Sequence, residues 1–168
     1  MERWLDTMTS EKSSCQVLLA PFSGKTVELA SVPDPVFAEK LTGDGLAIEL
    51  SSDTVLAPCD GVISLFFDTK HAFAITTDAG IQVLVHVGLD SIILNGEGLT
   101  ALKESGDRVT AGMPILKIDM DVFAKNSINM ISPVLVVNYD KVTELTPCSP
   151  GCEVAAGNDE VLQYAIAV

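Results

Sequence analysis

The sequence predicts an all-β protein, a flattened antiparallel β-sandwich or barrel with a few short helical turns. Short runs rich in Val, Ile, Leu and Thr follow one another from Cys15 to the end of the chain, separated by Pro, Gly, Asp and Ser. None of the segments between them has a long amphipathic helical face. Many short strands joined by turn residues are typical of sandwiches and barrels. With 168 residues, 48% of them hydrophobic, the chain can form one domain with a substantial core.

The predicted elements follow in chain order. Nine apolar runs, each rich in β-branched or aromatic residues, are predicted strands, and they span residues 15–20, 25–30, 46–50, 61–67, 72–77, 81–87, 114–119, 134–137 and 161–168. Three segments, 34–40, 99–105 and 119–126, are candidates for short helices of one or two turns. One pattern occurs twice: "LLAPFSGKTVEL" at 18–29 and "VLAPCDGVISLF" at 55–66 share Ala-Pro, two residues, Gly and then a strand. This repeat indicates a duplicated hairpin unit, with Pro at strand edges and Gly at turns or bulges.

We expect residues 1–14 to form a flexible N-terminal arm and residues 15–168 to form a single domain. The arm is polar without a consistent period, and it lacks the apolar core and cleavage site of a secretory signal. Trp4 and Leu5 offer little apolar surface among charges, and no apolar run is long enough to span a membrane. The expected location is therefore the cytoplasm, without stable membrane insertion.

Charge and cysteine content weigh against several classes of protein. The net charge of −13 and the pI near 4.3 argue strongly against a nucleic-acid or anionic-membrane surface and favour a basic protein partner. The cysteines, Cys15, Cys59, Cys148 and Cys152, form no CxxC pair. We therefore expect free thiols rather than a disulfide framework or a zinc ribbon, and we interpret "CSPGC" at 148–152 as a Pro-Gly turn.

The chain has two histidines, His71 and His86, and both lie in one predicted hairpin. If Asp78 and Ala79 form a two-residue loop, the two histidines lie directly opposite each other, with Cβ atoms about 4.5 to 5.5 Å apart. A three-residue loop would shift the register by one residue and separate the side chains, unless a bulge at Gly80 restored it.

The residues alone leave several interpretations of the pair open. Two unrelated structural histidines, each bonded to a backbone carbonyl, are one interpretation. A zinc site needs three or four protein ligands, and Asp60 or Asp90 would have to complete it. Triad catalysis lacks a GxSxG nucleophile motif. A phosphoryl relay, in which one imidazole attacks phosphorus while the other stabilises the oxyanions, needs no further residue type.

Four blocks of the sequence are familiar: "VPDPVFAEKLTGDGLAI", "APCDGVISLFFDTKHAF", "VLVHVGLD" and a Gly-Asp, Val, Ala-Gly, Ile-Leu pattern before residue 117. In order and spacing, the chain from about Val17 to Val168 resembles the glucose-type enzyme IIA family of the bacterial phosphoenolpyruvate-dependent sugar phosphotransferase system. The resemblance implies a flattened β-sandwich of the duplicated hybrid motif type. It further implies a shallow apolar depression that holds both histidines.

The resemblance also implies a role for each residue of the pair. His86 matches the acceptor, whose Nε2 takes phosphate from the histidine-containing phosphocarrier protein. His71 matches the supporting histidine, which is needed mainly to pass phosphate on to the cysteine of enzyme IIB. Thr69 matches the threonine whose hydroxyl orients the supporting ring, and Gly88 matches the glycine whose carbonyl holds Nδ1 of the acceptor.

Around the pair, the family has an apolar rim that binds the phosphocarrier protein, with acidic residues beside it. The matching acidic residues are Asp34 and Asp90. The matching apolar residues, each of which is also compatible with an ordinary core position, are Val36, Phe37, Leu41, Phe67, Leu84 and Ile92.

The expected function is that of a phosphotransferase component with a phosphohistidine intermediate, which requires no cofactor. Regulatory relatives, which control transporters or kinases by phosphorylation-dependent docking, are the main alternative. Intermolecular zinc at His71 and His86, completed by a partner carboxylate, stays open. A zinc hydrolase on a similar β scaffold is disfavoured, because a ligand is missing.

Overall fold

The computed structural model describes residues 13–167. Its helices are α1 (Pro35–Ala38) and α2 (Met120–Lys125), with 3₁₀ turns at Leu29–Ser31, Ser91–Leu94 and Tyr139–Lys141. Its strands are β1 (Ser13–Leu19), β2 (Gly24–Glu28), β3 (Asp44–Leu50), β4 (Thr54–Leu56), β5 (Gly61–Phe66), β6 (Ala72–Thr76), β7 (Gln82–His86), β8 (Leu99–Ala101), β9 (Arg108–Val109), β10 (Pro114–Ile118), β11 (Ile131–Val136), β12 (Val142–Pro147), β13 (Glu153–Val154) and β14 (Glu160–Ala167). No helix within the described range is long and apolar enough to cross a membrane.

The described strands form antiparallel sheets, which confirms the predicted fold class. The large sheet has the order β13-β2-β3-β11-β7-β6-β5-β9, and two smaller sheets have the orders β1-β14-β12 and β4-β10-β8. One buried core joins the three sheets, because Leu18 of β1 and Leu116 of β10 belong to the same cluster as Val83 and Val85 of the large sheet. The large sheet therefore packs against both smaller sheets.

The opposite face of the large sheet carries a second, smaller buried cluster. Successive side chains of a strand point to opposite faces, so Leu84 leaves the main core and packs in this cluster. Phe37 of α1 covers part of the cluster, and Ala47, Ala72 and Ala74 line it. These alanines are buried, so they lie beneath the side chains that pack on this face. His86, two residues after Leu84, shares this face.

The two copies of the repeated pattern bond to each other. The N–H of Leu19 donates to the carbonyl of Pro58 at 2.9 Å, and the N–H of Leu56 donates to the carbonyl of Pro21 at 2.7 Å. Leu19 and Leu56 occupy the same position in the pattern, as do Pro21 and Pro58. The exchange is therefore reciprocal, as expected of a duplicated unit with local two-fold symmetry.

The glycine of each copy is required by close backbone packing. A Cβ atom on Gly24 would lie 2.1 Å from the carbonyl oxygen of Glu49, and one on Gly61 would lie 2.5 Å from that of Thr76. Both distances are shorter than van der Waals contact, so a side chain at either position would displace a strand of the large sheet.

All nine predicted strands are present, as are helices α1 and α2 within the segments 34–40 and 119–126. The predicted helix at 99–105 is wrong, because Leu99–Ala101 forms strand β8, which pairs with β10. Leu99 is buried while Thr100 is exposed, so the alternation required by a sheet edge outweighs helix propensity here. Of the predicted arm 1–14, residues 1–12 lie outside the described range, and strand β1 begins at Ser13.

Candidate functional site

The two histidines lie side by side at one end of the large sheet. Their ring centroids are 5.0 Å apart and the ring planes are inclined at 77°. His71 precedes β6 and His86 ends β7, so both lie at the end of the hairpin opposite its turn. The two histidines are therefore neighbours, which favours a functional pair over two unrelated structural histidines.

The turn of the hairpin differs from the two-residue loop considered above. The N–H of Thr77 donates to the carbonyl of Ile81 at 2.9 Å, which leaves three loop residues, 78–80. Gly80 takes the left-handed conformation at φ 87°. The register is accordingly shifted by one residue, and Ala72 rather than His71 lies opposite His86.

The histidines meet nevertheless, because His71 lies outside the regular strand. The N–H of Lys70 donates to the carbonyl of Phe67 at 2.8 Å, and Lys70 has φ 60°, so a tight turn ends at His71. The carbonyl of His71 accepts from the N–H of Val87 at 2.8 Å. This bond fixes the backbone of His71 next to His86, while the turn releases its side chain from the strand alternation.

One hydrogen bond holds each ring, and that of His86 also defines where its proton lies. Nδ1 of His86 lies 2.8 Å from the carbonyl oxygen of Gly88. Because a carbonyl only accepts, this Nδ1 carries the proton and Nε2 carries the lone pair. Nδ1 of His71 lies 2.5 Å from Oγ1 of Thr69. All four residues thus occupy the relative positions that the resemblance implied.

Two phenylalanine rings pack edge-on against the imidazoles. Phe37 lies 5.0 Å from His86 between ring centroids, and Phe67 lies 5.0 Å from His71. Edge-to-face contacts at this distance are favourable. They restrict rotation of each imidazole, so the geometry of the pair is fixed before any partner binds.

The environment keeps both histidines neutral at pH 7. Burial, followed by the charge of His86, lowers the pKa of His71 to about 4. Burial also lowers the pKa of His86, whereas the Gly88 carbonyl and the carboxylates of Asp34 and Asp90 act in the opposite direction. Neutral imidazoles have a free lone pair, so the site can act as a nucleophile or as a ligand for a soft metal.

We expect the protein to lose stability as the pH falls from about 6.5 towards about 4. His71 has a pKa of about 4 when folded and 6.5 as its ordinary value. Between these values the unfolded chain binds a proton that the folded chain does not, so acid favours unfolding. Urea unfolding at pH 7 and pH 5 measures the effect, and His71→Gln should reduce the difference. An unchanged difference in that variant would contradict the assignment.

The apolar residues matched to the rim divide into two groups. Leu41, Ile92, Val36 and Phe67 are exposed to 70%, 54%, 45% and 37% respectively. The ring of Phe67 contacts His71, and Val36 adjoins Phe37, whose ring contacts His86. Phe37 and Leu84 are buried at 6% and 8% and belong to the cluster beneath it. Contact of Phe37 and Leu84 with a partner stays a prediction. They support the site from below, because their side chains point into the sheet face that the alanines line.

The two acidic residues occupy turns beside the site. Asp34 is the N-cap of α1, where its carboxylate accepts from the N–H of Val36 at 3.0 Å. Asp90 is exposed and has φ 60°, immediately before a 3₁₀ turn. Asp60, considered above as a metal ligand, instead accepts from the N–H of Ala111. The described residues contain no cluster of three or more side chains that could hold a metal ion.

Sequence reasoning missed two buried serines near the pair. Ser132 on β11 accepts from the N–H of Gly88, and Ser91 donates to the carbonyl of Val87. Neither lies in a recognisable motif, and Ser132 is far from His86 in sequence, so only the fold brings them together. The four cysteines are free thiols, as predicted.

Comparison with known proteins gives a consistent result. Residues 16–142 match the family of the phosphoenolpyruvate-dependent sugar phosphotransferase system described as EIIA 1. The glucose-specific EIIA component of Borreliella burgdorferi is 41% identical over 135 residues, which cover 80% of this chain and 71% of that protein. The N-acetylglucosamine-specific EIICBA component of Klebsiella pneumoniae is 41% identical over 138 residues, which cover 82% of this chain but 21% of that longer protein.

A solved structure agrees with these relatives in fold as well as in sequence. The glucose permease IIA from Mycoplasma capricolum superimposes with a TM-score of 0.82 at 34% identity, over 89% of this chain and 96% of that one. Together with the match over residues 16–142, this likeness means that the chain belongs to the glucose-type enzyme IIA family, the phosphocarriers that relay phosphoryl groups in bacterial sugar uptake.

Proposed function

We propose that His86 accepts a phosphoryl group on Nε2 from the histidine-containing phosphocarrier protein and then passes it to the cysteine of an enzyme IIB. The observation that carries this proposal is the bond between Nδ1 of His86 and the Gly88 carbonyl. With Nδ1 engaged as a donor, Nε2 is the one ring atom left with a lone pair. The relatives that carry IIA, IIB and IIC in one chain support a IIB partner for this one.

The transfer needs no cofactor and no proton transfer in the forming bond. The Nε2 lone pair attacks phosphorus in line, while the bond between phosphorus and the donor's ring nitrogen breaks and its electron pair returns to the donor. His86 thereby gains positive charge, which the Gly88 carbonyl stabilises through Nδ1. A neutral His71 close by, held by Thr69, is available to donate a hydrogen bond to the phosphoryl oxygens.

The exposed apolar residues around the pair are the proposed contact surface for both partners. An apolar centre edged by carboxylates suits a partner with apolar side chains and basic residues around them. The chain's net charge of −13 favours approach by such a partner. We place the exchange in the cytoplasm, where donor and acceptor would both have access to this surface.

Leu41→Asp should weaken binding of the phosphocarrier protein about tenfold. Leu41 is 70% exposed, so the change introduces charge into the contact surface without disturbing the core. Titration calorimetry with the purified phosphocarrier protein measures the dissociation constant. Tyr139→Asp is the matched control, because Tyr139 is 43% exposed and its turn follows Asn138, which bonds Gly80 at the far end of the hairpin. Equal losses in both variants would contradict the proposed surface.

Zinc at a partner interface is compatible with the donor set. Nδ1 of each histidine is engaged, so His71 and His86 would each offer Nε2, a nitrogen that zinc accepts. A partner carboxylate would have to supply a third ligand. If bound, zinc would hold the partner on this surface and block phosphoryl transfer, because it would occupy the nucleophilic lone pair of His86.

Intact-mass spectrometry tests the proposed function directly. The wild-type chain is incubated with phosphoenolpyruvate, Mg²⁺, enzyme I and the phosphocarrier protein from the same source. We expect one phosphoryl group per chain, stable in alkali and lost in acid, as is usual for phosphohistidine. A correctly folded chain that gains no mass would contradict the proposal.

A further inference from the structure

The peptide unit that follows His86 by one residue is held at both ends by buried hydroxyl groups. Its carbonyl, on Val87, accepts a hydrogen bond from Oγ of Ser91, and its N–H, on Gly88, donates to Oγ of Ser132 at 2.8 Å. Both serines are fully buried at 0% exposure. Two hydroxyls, one from the 3₁₀ turn and one from β11, thus hydrogen-bond to the carbonyl and to the N–H of the same peptide.

The bonds continue in both directions from this peptide. The hydroxyl of Ser132 donates to the carbonyl of Met130 at 2.9 Å, so its lone pair is free to face the Gly88 N–H. On the other side of Gly88, the N–H of Leu89 donates to the carbonyl of Asn129 at 3.0 Å. Both peptide units that flank Gly88 are therefore fixed, and with them the direction of the Gly88 carbonyl.

Gly88 needs this support because its conformation is unusual. Its φ is +70°, and a Cβ atom there would lie 3.0 Å from the carbonyl oxygen of Asn129. Glycine is the residue with the widest conformational freedom, so its carbonyl would be free to turn away from Nδ1 of His86 without neighbouring restraints. The turn that aims this carbonyl is thus intrinsically flexible, and it is made rigid by the two serines on one side of Gly88 and by the bond between Leu89 and Asn129 on the other.

We propose that Ser91 and Ser132 are positioning residues that hold the Gly88 carbonyl on Nδ1 of His86 and so maintain the tautomer with a free Nε2 lone pair. Neither serine contacts the reacting nitrogen. They act on the orientation of the Gly88 carbonyl by fixing the peptide that precedes it. The Gly88 carbonyl belongs to the next peptide, whose N–H on Leu89 donates to the carbonyl of Asn129, and this bond polarises the Gly88 carbonyl. The kinetic part of this inference rests on the proposed function, whereas the tautomer of His86 does not.

The experiment combines nitrogen NMR with transfer kinetics. Ser91→Ala and Ser132→Ala are each prepared with ¹⁵N-labelled histidine, and two-bond correlation spectra at pH 7.5 report which nitrogen of His86 carries the proton. In the wild type we expect protonation at Nδ1 alone. In each alanine variant we expect averaged ¹⁵N shifts from a mixture of tautomers, together with phosphoryl uptake slowed about tenfold, the effect usual for removing an outer hydrogen-bond partner. Ser91→Thr and Ser132→Thr keep the hydroxyl and should restore both readouts.

Thr26→Val is the matched control for loss of a buried hydroxyl. Thr26 is 3% exposed, and its hydroxyl likewise accepts from a backbone N–H, that of Cys152, and donates to the carbonyl of Ser149. We expect this variant to be destabilised to urea like the serine variants but to keep the wild-type tautomer and uptake rate. Slowed uptake in Thr26→Val equal to that in Ser132→Ala would overturn the proposal, because the effect would then reflect stability alone.

The outcomes separate this inference from the proposed function. Failure of the wild type to take up phosphate would contradict the proposed function, while the NMR comparison would still decide the positioning role. A pure Nδ1–H tautomer in both alanine variants would overturn the positioning role, whatever the kinetics. If Ser132→Ala does not fold, Ser91→Ala gives the same test from the opposite end of the peptide.

Discussion

We expect His86→Ala to abolish phosphoryl uptake, so that the mass spectrum after full incubation with the donor system contains the unmodified chain only. The reason is that Nε2 of His86 supplies the attacking lone pair, and a methyl side chain has no substitute for it. His71 is not expected to replace it, because its ring is more deeply buried and because, in its proposed role, Nδ1 accepts from Thr69 and Nε2 carries the proton, which leaves Nε2 without a lone pair. Intact mass at several time points measures the result.

The controls for this experiment come from the same site. Thermal unfolding should confirm that His86→Ala is folded, since His86 is only partly buried and its loss removes few contacts. His71→Gln removes the other imidazole and should still gain mass. Phosphate found on any residue of a folded His86→Ala chain would refute the assignment of the acceptor.

His71→Gln should accept phosphate at a near-normal rate but pass it to enzyme IIB at least about 100-fold more slowly. Acceptance depends on the Nε2 lone pair of His86, which the Gly88 carbonyl maintains without help from His71. Onward transfer needs the phosphoryl oxygens stabilised as the bond to His86 weakens, and removal of one such positioned donor typically lowers a rate by about 10² to 10³. His71 is the candidate donor, because its ring lies beside His86 and is held by Thr69.

Stopped-flow or quench measurements with pre-phosphorylated protein separate the two steps. The variant is phosphorylated first, isolated, and then mixed with IIB, and the loss of phosphate is followed with time. Thr69→Val provides an intermediate case, since it keeps the imidazole of His71 but frees its Nδ1. A His71→Gln chain that fails to accept phosphate, or that delivers it at the wild-type rate, would refute this division of roles.

Much of the fold could be predicted from the sequence, because strands appear there as short apolar runs whose alternate residues face opposite sides of a sheet. In β7, Val83 and Val85 face the main core while Leu84 and His86 face the other side, and this alternation is visible without a structure. The repeat was likewise predictable, since both copies show the same Ala-Pro and Gly pattern in the sequence. The structure gives the reason for the shared glycine: at Gly24 and Gly61 the backbones approach too closely for any side chain.

The register of the histidine hairpin could not be predicted, because one loop residue decides it. A two-residue and a three-residue loop differ only in whether Gly80 belongs to the strand or, as here with φ 87°, to the turn. The sequence permits both. His71 and His86 are still in contact because Lys70 takes a left-handed conformation. No local sequence pattern predicts this conformation.

The exposure of individual residues could not be predicted from the sequence either. Phe37 and Leu84 match rim positions by motif, yet both are buried, because burial depends on how α1 lies across the sheet. The serine pair is the extreme case: Ser91 and Ser132 are 41 positions apart and bond to the same peptide only because β11 pairs with β7. Contacts of such separation are set by topology rather than by neighbouring residues.

The presence of both histidines on one alanine-lined face has a consequence for the order in which the partners bind. If both partners bind this face and exchange phosphate at Nε2 of His86, as proposed, one partner can bind at a time and the donor must dissociate before the acceptor binds. We then expect ping-pong kinetics, in which donor protein that has already given up its phosphate competes with the acceptor for the same surface. The rate of phosphoryl transfer should then depend on the ratio of donor to acceptor, because both partners bind the same surface.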